Sequence, residues 1–128
     1  MEAIIIITCL ALMQYFAFGL YVGKMRATHG VRAPAMSGHP EFERAFRIHE
    51  NTLEQLIVFL PVLWMYGYFV NPLWGAGFGL LFIVSRFMYW SAYMKDPAKR
   101  GPGFTLGFLA NVVMLLWVAI VAVVRMLS

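Results

Sequence analysis

Four long apolar stretches decide what this chain can become. Ala3–Val22, Leu73–Tyr93 and Phe104–Val124 each run for about 20 residues with few polar interruptions, the length a helix needs to cross the hydrocarbon core of a bilayer. Gln55–Val70 is shorter, with 16 residues, and at about 1.5 Å of rise per residue it covers roughly 24 Å of a slab near 30 Å. To cross, this helix has to draw in about four more residues. Its N-terminal side offers Asn51, Thr52, Leu53 and Glu54, so polar groups are pulled to the membrane boundary. The composition agrees, since 62% hydrophobic and 12% charged residues fall outside the range of soluble domains. The expected fold class is all-α: an integral membrane four-helix bundle, one domain over residues 1–128, with helices at about 3–22, 42–70, 73–95 and 103–126.

Breaks between the stretches are marked by proline and glycine. Gly23–Phe42 holds Pro34, Ser37, Gly38 and Pro40 and reads as a loop of about 20 residues, long enough to be functional. The second helix is expected just after Pro40, with Glu41 and Glu43 in its first turn where the helix dipole favours negative charge. Pro61 predicts a kink within it. Pro72 predicts a tight turn into the third helix, Pro97 marks its end, and Gly101-Pro102-Gly103 punctuates the entry to the fourth. Gly75-x-x-x-Gly79 has the spacing of a close helix contact.

Lys24, Arg26, Arg32 and Arg44 lie in or next to the first connection and Lys95, Lys99 and Arg100 in the third, whereas the second, around Asn71 and Pro72, has no cation. Cationic loops stay in the cytoplasm. This predicts cytoplasmic first and third connections with both termini on the opposite side, in the inner membrane if the chain is bacterial. The net charge of +4 then reflects topology and contact with anionic membrane lipid, not nucleic acid, for which no basic-aromatic motif is present. The single Cys9 permits no intrachain disulfide and reads as a small buried apolar residue. His29, His39 and His49 are ten residues apart with no paired cysteine, so no metal site is expected.

The chemistry gathers on two helix faces. Arg44, Arg47, Asn51 and Glu54 are spaced three, four and three residues apart, which at 100° per residue confines them to an arc of about 80°. Arg86, Tyr89 and Tyr93 repeat the three-then-four spacing near the matching end of the third helix. An ionisable residue at that depth costs up to roughly 2.5–3.5 kcal/mol, so it turns inward and takes a partner. One reading is that Arg47, Glu54 and Arg86 pair with one another to hold the helices together. The other starts from the excess of Arg44, Arg47, Arg86 and Arg100 over Glu43, Glu50 and Glu54. That excess points to an external anion, and arginine forks with tyrosine hydroxyls and an asparagine amide suit a small molecule bearing carboxylates.

The run Glu41-Phe42-Glu43-Arg44-Ala45-Phe46-Arg47-Ile48-His49-Glu50-Asn51-Thr52-Leu53-Glu54 resembles the signature of the MAPEG family, membrane-associated proteins of eicosanoid and glutathione metabolism. Arg86-Phe87-Met88-Tyr89-Trp90-Ser91-Ala92-Tyr93, followed by Arg100, is similar to the third-helix segment of its glutathione-using members. The resemblance implies a homotrimer with glutathione as co-substrate in clefts between adjacent subunits. It implies contacts from Arg47, Asn51, Glu54, Tyr89 and Tyr93, with Arg26 and Arg86 as further candidates and Arg100 as the residue that activates the thiol. The implied activity is a membrane-bound glutathione transferase, and also a peroxidase, acting in detoxification on a lipophilic electrophile or lipid hydroperoxide. The alternative is a non-catalytic lipid-binding or partner-presenting scaffold of the same family.

Overall fold

Proline, with a polar residue just before it, sets two of the four long helix starts in the computed structural model, which describes residues 1–128. Pro40 opens α2 (Pro40–Phe69), where the His39 ring accepts a hydrogen bond from the Glu41 amide at 3.1 Å. Pro72 opens α3 (Pro72–Lys95), where Asn71 Oδ1 accepts from the Leu73 and Trp74 amides. A proline fits there because the first helical amide has no partner within the helix. These prolines belong to the first turn and do not merely precede it. The same holds for Gly101-Pro102-Gly103, which forms the first turn of α4 (Gly101–Leu127) after a short 3-10 turn, Pro97–Lys99. Pro61 lies within α2, which continues through it.

The largest departure from the sequence expectation is α1, which spans Glu2–His29 and does not stop at Val22. Its last two turns stand beyond the apolar stretch. They stay helical because Met25 extends the buried face of Val22 and packs with Phe42 and Ala45 of α2. Gly30, at φ 66°, ends the helix in the left-handed conformation that glycine adopts without steric cost. The first connection is therefore residues 30–39, about half the expected length.

All four long helices are long and apolar enough to cross a membrane. α2 and α3 pack together, with α1 against both on one flank and α4 against both on the other. The shared core takes Ile4, Ile7 and Ala11 from α1, Leu56, Phe59 and Leu63 from α2, Phe82 and Ile83 from α3, and Met114 and Val118 from α4. The Phe59 and Phe82 rings stack at 4.0 Å. Cross-links fix the directions: Gln14 Nε2 donates to the Ile83 carbonyl, Trp64 Nε1 to Thr8 Oγ1, and Arg125 Nη2 to the Phe69 carbonyl. The end of α1, the start of α2, the end of α3 and the start of α4 thus share one end of the bundle. Large apolar side chains such as Ile6, Phe16, Leu20, Ile57 and Ile120 point outward, as they do where the solvent is lipid. Cys9 is exposed on this outer surface of α1, not buried as its apolar character predicted.

Close helix contacts rest on glycine. A Cβ on Gly75 would lie 3.0 Å from Ile4 Cδ1, and one on Gly79 would collide with Ile7, so the Gly75-x-x-x-Gly79 spacing serves the approach of α1 to α3. A Cβ on Gly103 would lie 2.6 Å from the Tyr89 nitrogen, a backbone atom that no rotamer change can move. Gly103→Ala is therefore expected to force α4 away from α3 and destabilise the protein by about 1–3 kcal/mol. Gly77→Ala, where nothing lies within 4 Å, should instead be neutral or stabilise by up to about 1 kcal/mol. Thermal unfolding of both variants in detergent checks the contrast.

Candidate functional site

Arg86 is the deepest charge in the bundle, with 1% of its surface exposed. Its Nη2 donates to Asn51 Oδ1 at 2.8 Å and to Thr52 Oγ1 at 2.9 Å. The Thr52 hydroxyl in turn donates to the Ile48 carbonyl. The guanidinium lies 4.3 Å from the centre of the Tyr89 ring, a cation–π contact that gains strength away from water. No carboxylate pairs with Arg86, because the arginine ion pairs are Arg47–Glu50 and Arg47–Glu54. The three-residue ionic clamp of Arg47, Glu54 and Arg86 is thus realised only in its Arg47–Glu54 half. Arg86 joins α2 to α3 through neutral acceptors.

Above this link a cleft of about 500 Å³ opens, lined by Arg47, Asn51, Tyr89, Tyr93, Arg100, Gly101 and Phe104. Each wall has a local cause. Arg44 Nη1 donates to the Met94 carbonyl at 3.0 Å, tying the start of α2 to the end of α3. Asp96 Oδ1 accepts from the Ala98 amide and begins the 3-10 turn. That turn delivers Arg100 to the N-terminal boundary of α4, where its Nη1 donates to the Pro97 carbonyl at 2.7 Å. No side chain caps this N-terminus, so the positive end of the α4 dipole adds to the arginines at the cleft. Tyr89 packs with Tyr93 at 5.4 Å and with Phe104 at 6.3 Å, and Phe104 stacks on Phe108 at 5.9 Å. The aromatic series leads from the polar cleft to the lipid-facing surface, where Phe108 is exposed.

Of the residues expected at the site, five line this cleft: Arg47, Asn51, Tyr89, Tyr93 and Arg100. Glu54 does not line it but accepts from Arg47 Nη1 at 2.9 Å, as Glu50 does at 2.6 Å. Two of the three acids weighed against the four arginines thus fall on Arg47. The Arg47, Glu50 and Glu54 side chains are each more than 40% exposed, and such pairs are worth only about 0–1 kcal/mol, so they hold Arg47 weakly. Arg86 lies beneath the cleft, bonded to Asn51 and set against the Tyr89 ring. Arg26 is outside it: its Nη1 donates to the Ala35 carbonyl and its guanidinium covers the Phe42 ring at 4.6 Å. His49, on the other side of α2, stacks on Tyr15 at 4.3 Å. Thr52, Gly101 and Phe104 are additions that the sequence reading missed. The first was legible as the neighbour of Asn51 facing the same buried arginine, and the others required the approach of α4 to Tyr89.

The family model described as the MAPEG family matches residues 4–120. The chain belongs to the MAPEG family. As a MAPEG protein with four membrane-crossing helices it is an integral, multi-pass membrane protein. It is 39% identical over 109 residues to an uncharacterized protein of Synechocystis, sll1147, covering 85% of this chain and 80% of that one. It is 38% identical over 111 residues to human microsomal glutathione S-transferase 2, covering 85% and 76%. It is 35% identical over 94 residues to rat leukotriene C4 synthase, covering 73% and 63%.

In this MAPEG chain the link beneath the cleft can be probed without touching its lining. Thr52→Val keeps the shape of a fully buried side chain but removes an acceptor from the Arg86 guanidinium. It is expected to cost about 1–3 kcal/mol, measured as a lowered unfolding midpoint in detergent.

Proposed function

We propose that the protein is a membrane-bound glutathione transferase that conjugates the glutathione thiolate to lipophilic electrophiles. The observation that carries this reading is the convergence of Arg47, Asn51, Tyr89, Tyr93 and Arg100 on one cleft that also opens toward lipid along Phe104 and Phe108. It is supported by membership of a family that includes microsomal glutathione S-transferase 2. Glutathione carries two carboxylates, an ammonium and a thiol. In this reading Arg47 grips a carboxylate through its fork, Glu54 meets the ammonium, and Asn51, Tyr89 and Tyr93 orient the peptide. Arg86 acts by positioning Asn51 and Tyr89. Arg100 stands beside the sulfur, where a guanidinium favours thiolate over thiol. The sulfur then attacks the electrophilic carbon, the carbon–sulfur bond forms as the leaving group departs, and the thiol proton goes to solvent.

The basic end of the bundle faces the cytoplasm in this proposal, by the distribution of its lysines and arginines. Arg26 enters it only through a cleft shared between copies of a homotrimer, an assembly that native mass spectrometry in mild detergent tests. A second reading, a non-catalytic lipid-binding or partner-presenting scaffold, is favoured by one feature: both carboxylates nearest the cleft already occupy Arg47.

Calorimetric titration separates the two readings. Wild type is expected to bind glutathione, and Arg47→Ala should weaken that binding more than Arg100→Ala does; absence of binding to wild type would select the scaffold. For catalysis, Arg100→Ala should lower conjugation of an activated aryl halide about 10²-fold near neutral pH, the scale of losing one electrostatic donor. Because the lost cation had lowered the pKa of the bound thiol, the rate of the variant should rise at higher pH than that of wild type. The gap should close as the pH passes the ordinary thiol value near 8.5. Equal profiles would remove Arg100 from the mechanism.

A further inference from the structure

A second depression lies about 150° around α3 from the cleft at 100° per residue. It is an open groove of about 600 Å³. It is lined by Val84, Phe87 and Met88 and by the small residues Ser91 and Ala92. Lys95, the last residue of α3, and Lys99, in the turn that follows, close it at the basic end of the bundle. From Val84 to Lys95 the groove follows roughly 16 Å of helix, within a span long and apolar enough to cross a membrane. It is an amphiphile in negative: apolar along its length, cationic at its mouth, with a hydroxyl one turn below the charge.

Neither lysine has an acidic partner in the chain. The acids of the chain have their nearest partners elsewhere. Of the six acids, Glu41 pairs with His29, Glu43 accepts from the Gly38 amide, Glu50 and Glu54 hold Arg47, and Asp96 accepts from the Ala98 amide. Glu2 pairs with the N-terminus at the opposite end of the bundle. Both lysines are thus without an ion-pair partner in the chain, and at a membrane surface anionic headgroups are the standing counter-charge.

We propose that this groove binds one anionic phospholipid from the leaflet at the basic end. Its phosphate sits between Lys95 and Lys99, a glycerol ester oxygen accepts from Ser91, and an acyl chain lies along Ala92, Met88, Phe87 and Val84. Lysine suits this role, because a headgroup moving at a membrane surface is met by a flexible point charge and not by a rigid fork. The ester acceptor at Ser91 distinguishes a phospholipid from a simple fatty-acid anion, whose carboxylate is its only polar group.

The test is native mass spectrometry of the purified protein in mild detergent with phosphatidylglycerol, phosphatidylcholine of the same chains, or oleate. Wild type is expected to retain one phosphatidylglycerol per chain in preference to the other two. Replacing both lysines (K95Q/K99Q) should weaken that retention by about tenfold or more, and Ser91→Phe, which fills the groove and leaves the lysines in place, should abolish it. Removing one cation from the end of α1 and one from the connection after it (K24Q/R32Q) should leave it unchanged. Equal retention of phosphatidylglycerol and phosphatidylcholine, or wild-type retention by K95Q/K99Q, overturns the proposal. So does preference for oleate. A change in the number of chains per assembly on Ser91→Phe, with lipid retention unaltered, would make the groove an interface between copies and overturns it as well.

Discussion

The guanidinium of Arg86 is the one charge that this bundle takes fully out of solvent, and the geometry around the cleft follows from how that charge is satisfied. A cation moved into a low-dielectric interior loses several kcal/mol of hydration. Asn51, Thr52 and the face of Tyr89 are what α2 and α3 offer in return. They are available together only in one register of the two helices. That register sets Arg47, one turn along α2 from Asn51, opposite Tyr89 and Tyr93 on α3. Tyr89 is also where Gly103 lets α4 approach the α3 backbone, so the position of Arg100 at the cleft depends indirectly on the same contact.

The spans and the two polar faces were legible in the sequence for simple reasons. A helix that crosses lipid needs a certain length of apolar residues, and the three-four-three spacing of Arg44, Arg47, Asn51 and Glu54 fixes a face whatever the tertiary fold. Other features were not legible because they depend on partners. The extra turns of α1 exist through the contact of Met25 with Phe42 and Ala45, residues that are distant in sequence. Cys9 was misjudged because, in lipid, an apolar side chain is as much at home outside as inside, so hydrophobicity no longer reports burial. A charge count set Glu50 and Glu54 against the arginines as a group and did not show that both fall on Arg47. Thr52 has no charge to draw notice, yet it is the second acceptor of the deepest arginine.

α3 separates two cationic features of different character. On one side arginines stand at a cleft of aromatic and amide groups. On the other, lysines stand at the mouth of an apolar groove. A guanidinium is planar and rigid and rewards a ligand of fixed geometry, whereas an ammonium on a flexible stem tolerates one that moves. The short turn from Pro97 to Lys99 connects the two, because Lys99 is its last residue and Arg100 follows directly. Both features thus depend on a segment that begins with the Asp96 cap and is tied to the end of α3, where Arg44 binds the Met94 carbonyl.

Arg86 also decides which way its neighbour faces. A guanidinium has hydrogen to give and no lone pair to receive with, so the Asn51 oxygen has to turn down toward it. The amide NH2 group is what remains for the cleft. With the arginines and the open N-terminus of α4, Asn51 therefore presents hydrogen and not lone pairs to whatever enters. The cleft is tuned toward groups that only accept, such as a carboxylate that has already lost its proton. That polarity is imposed from below, by a side chain that is not part of the cleft wall.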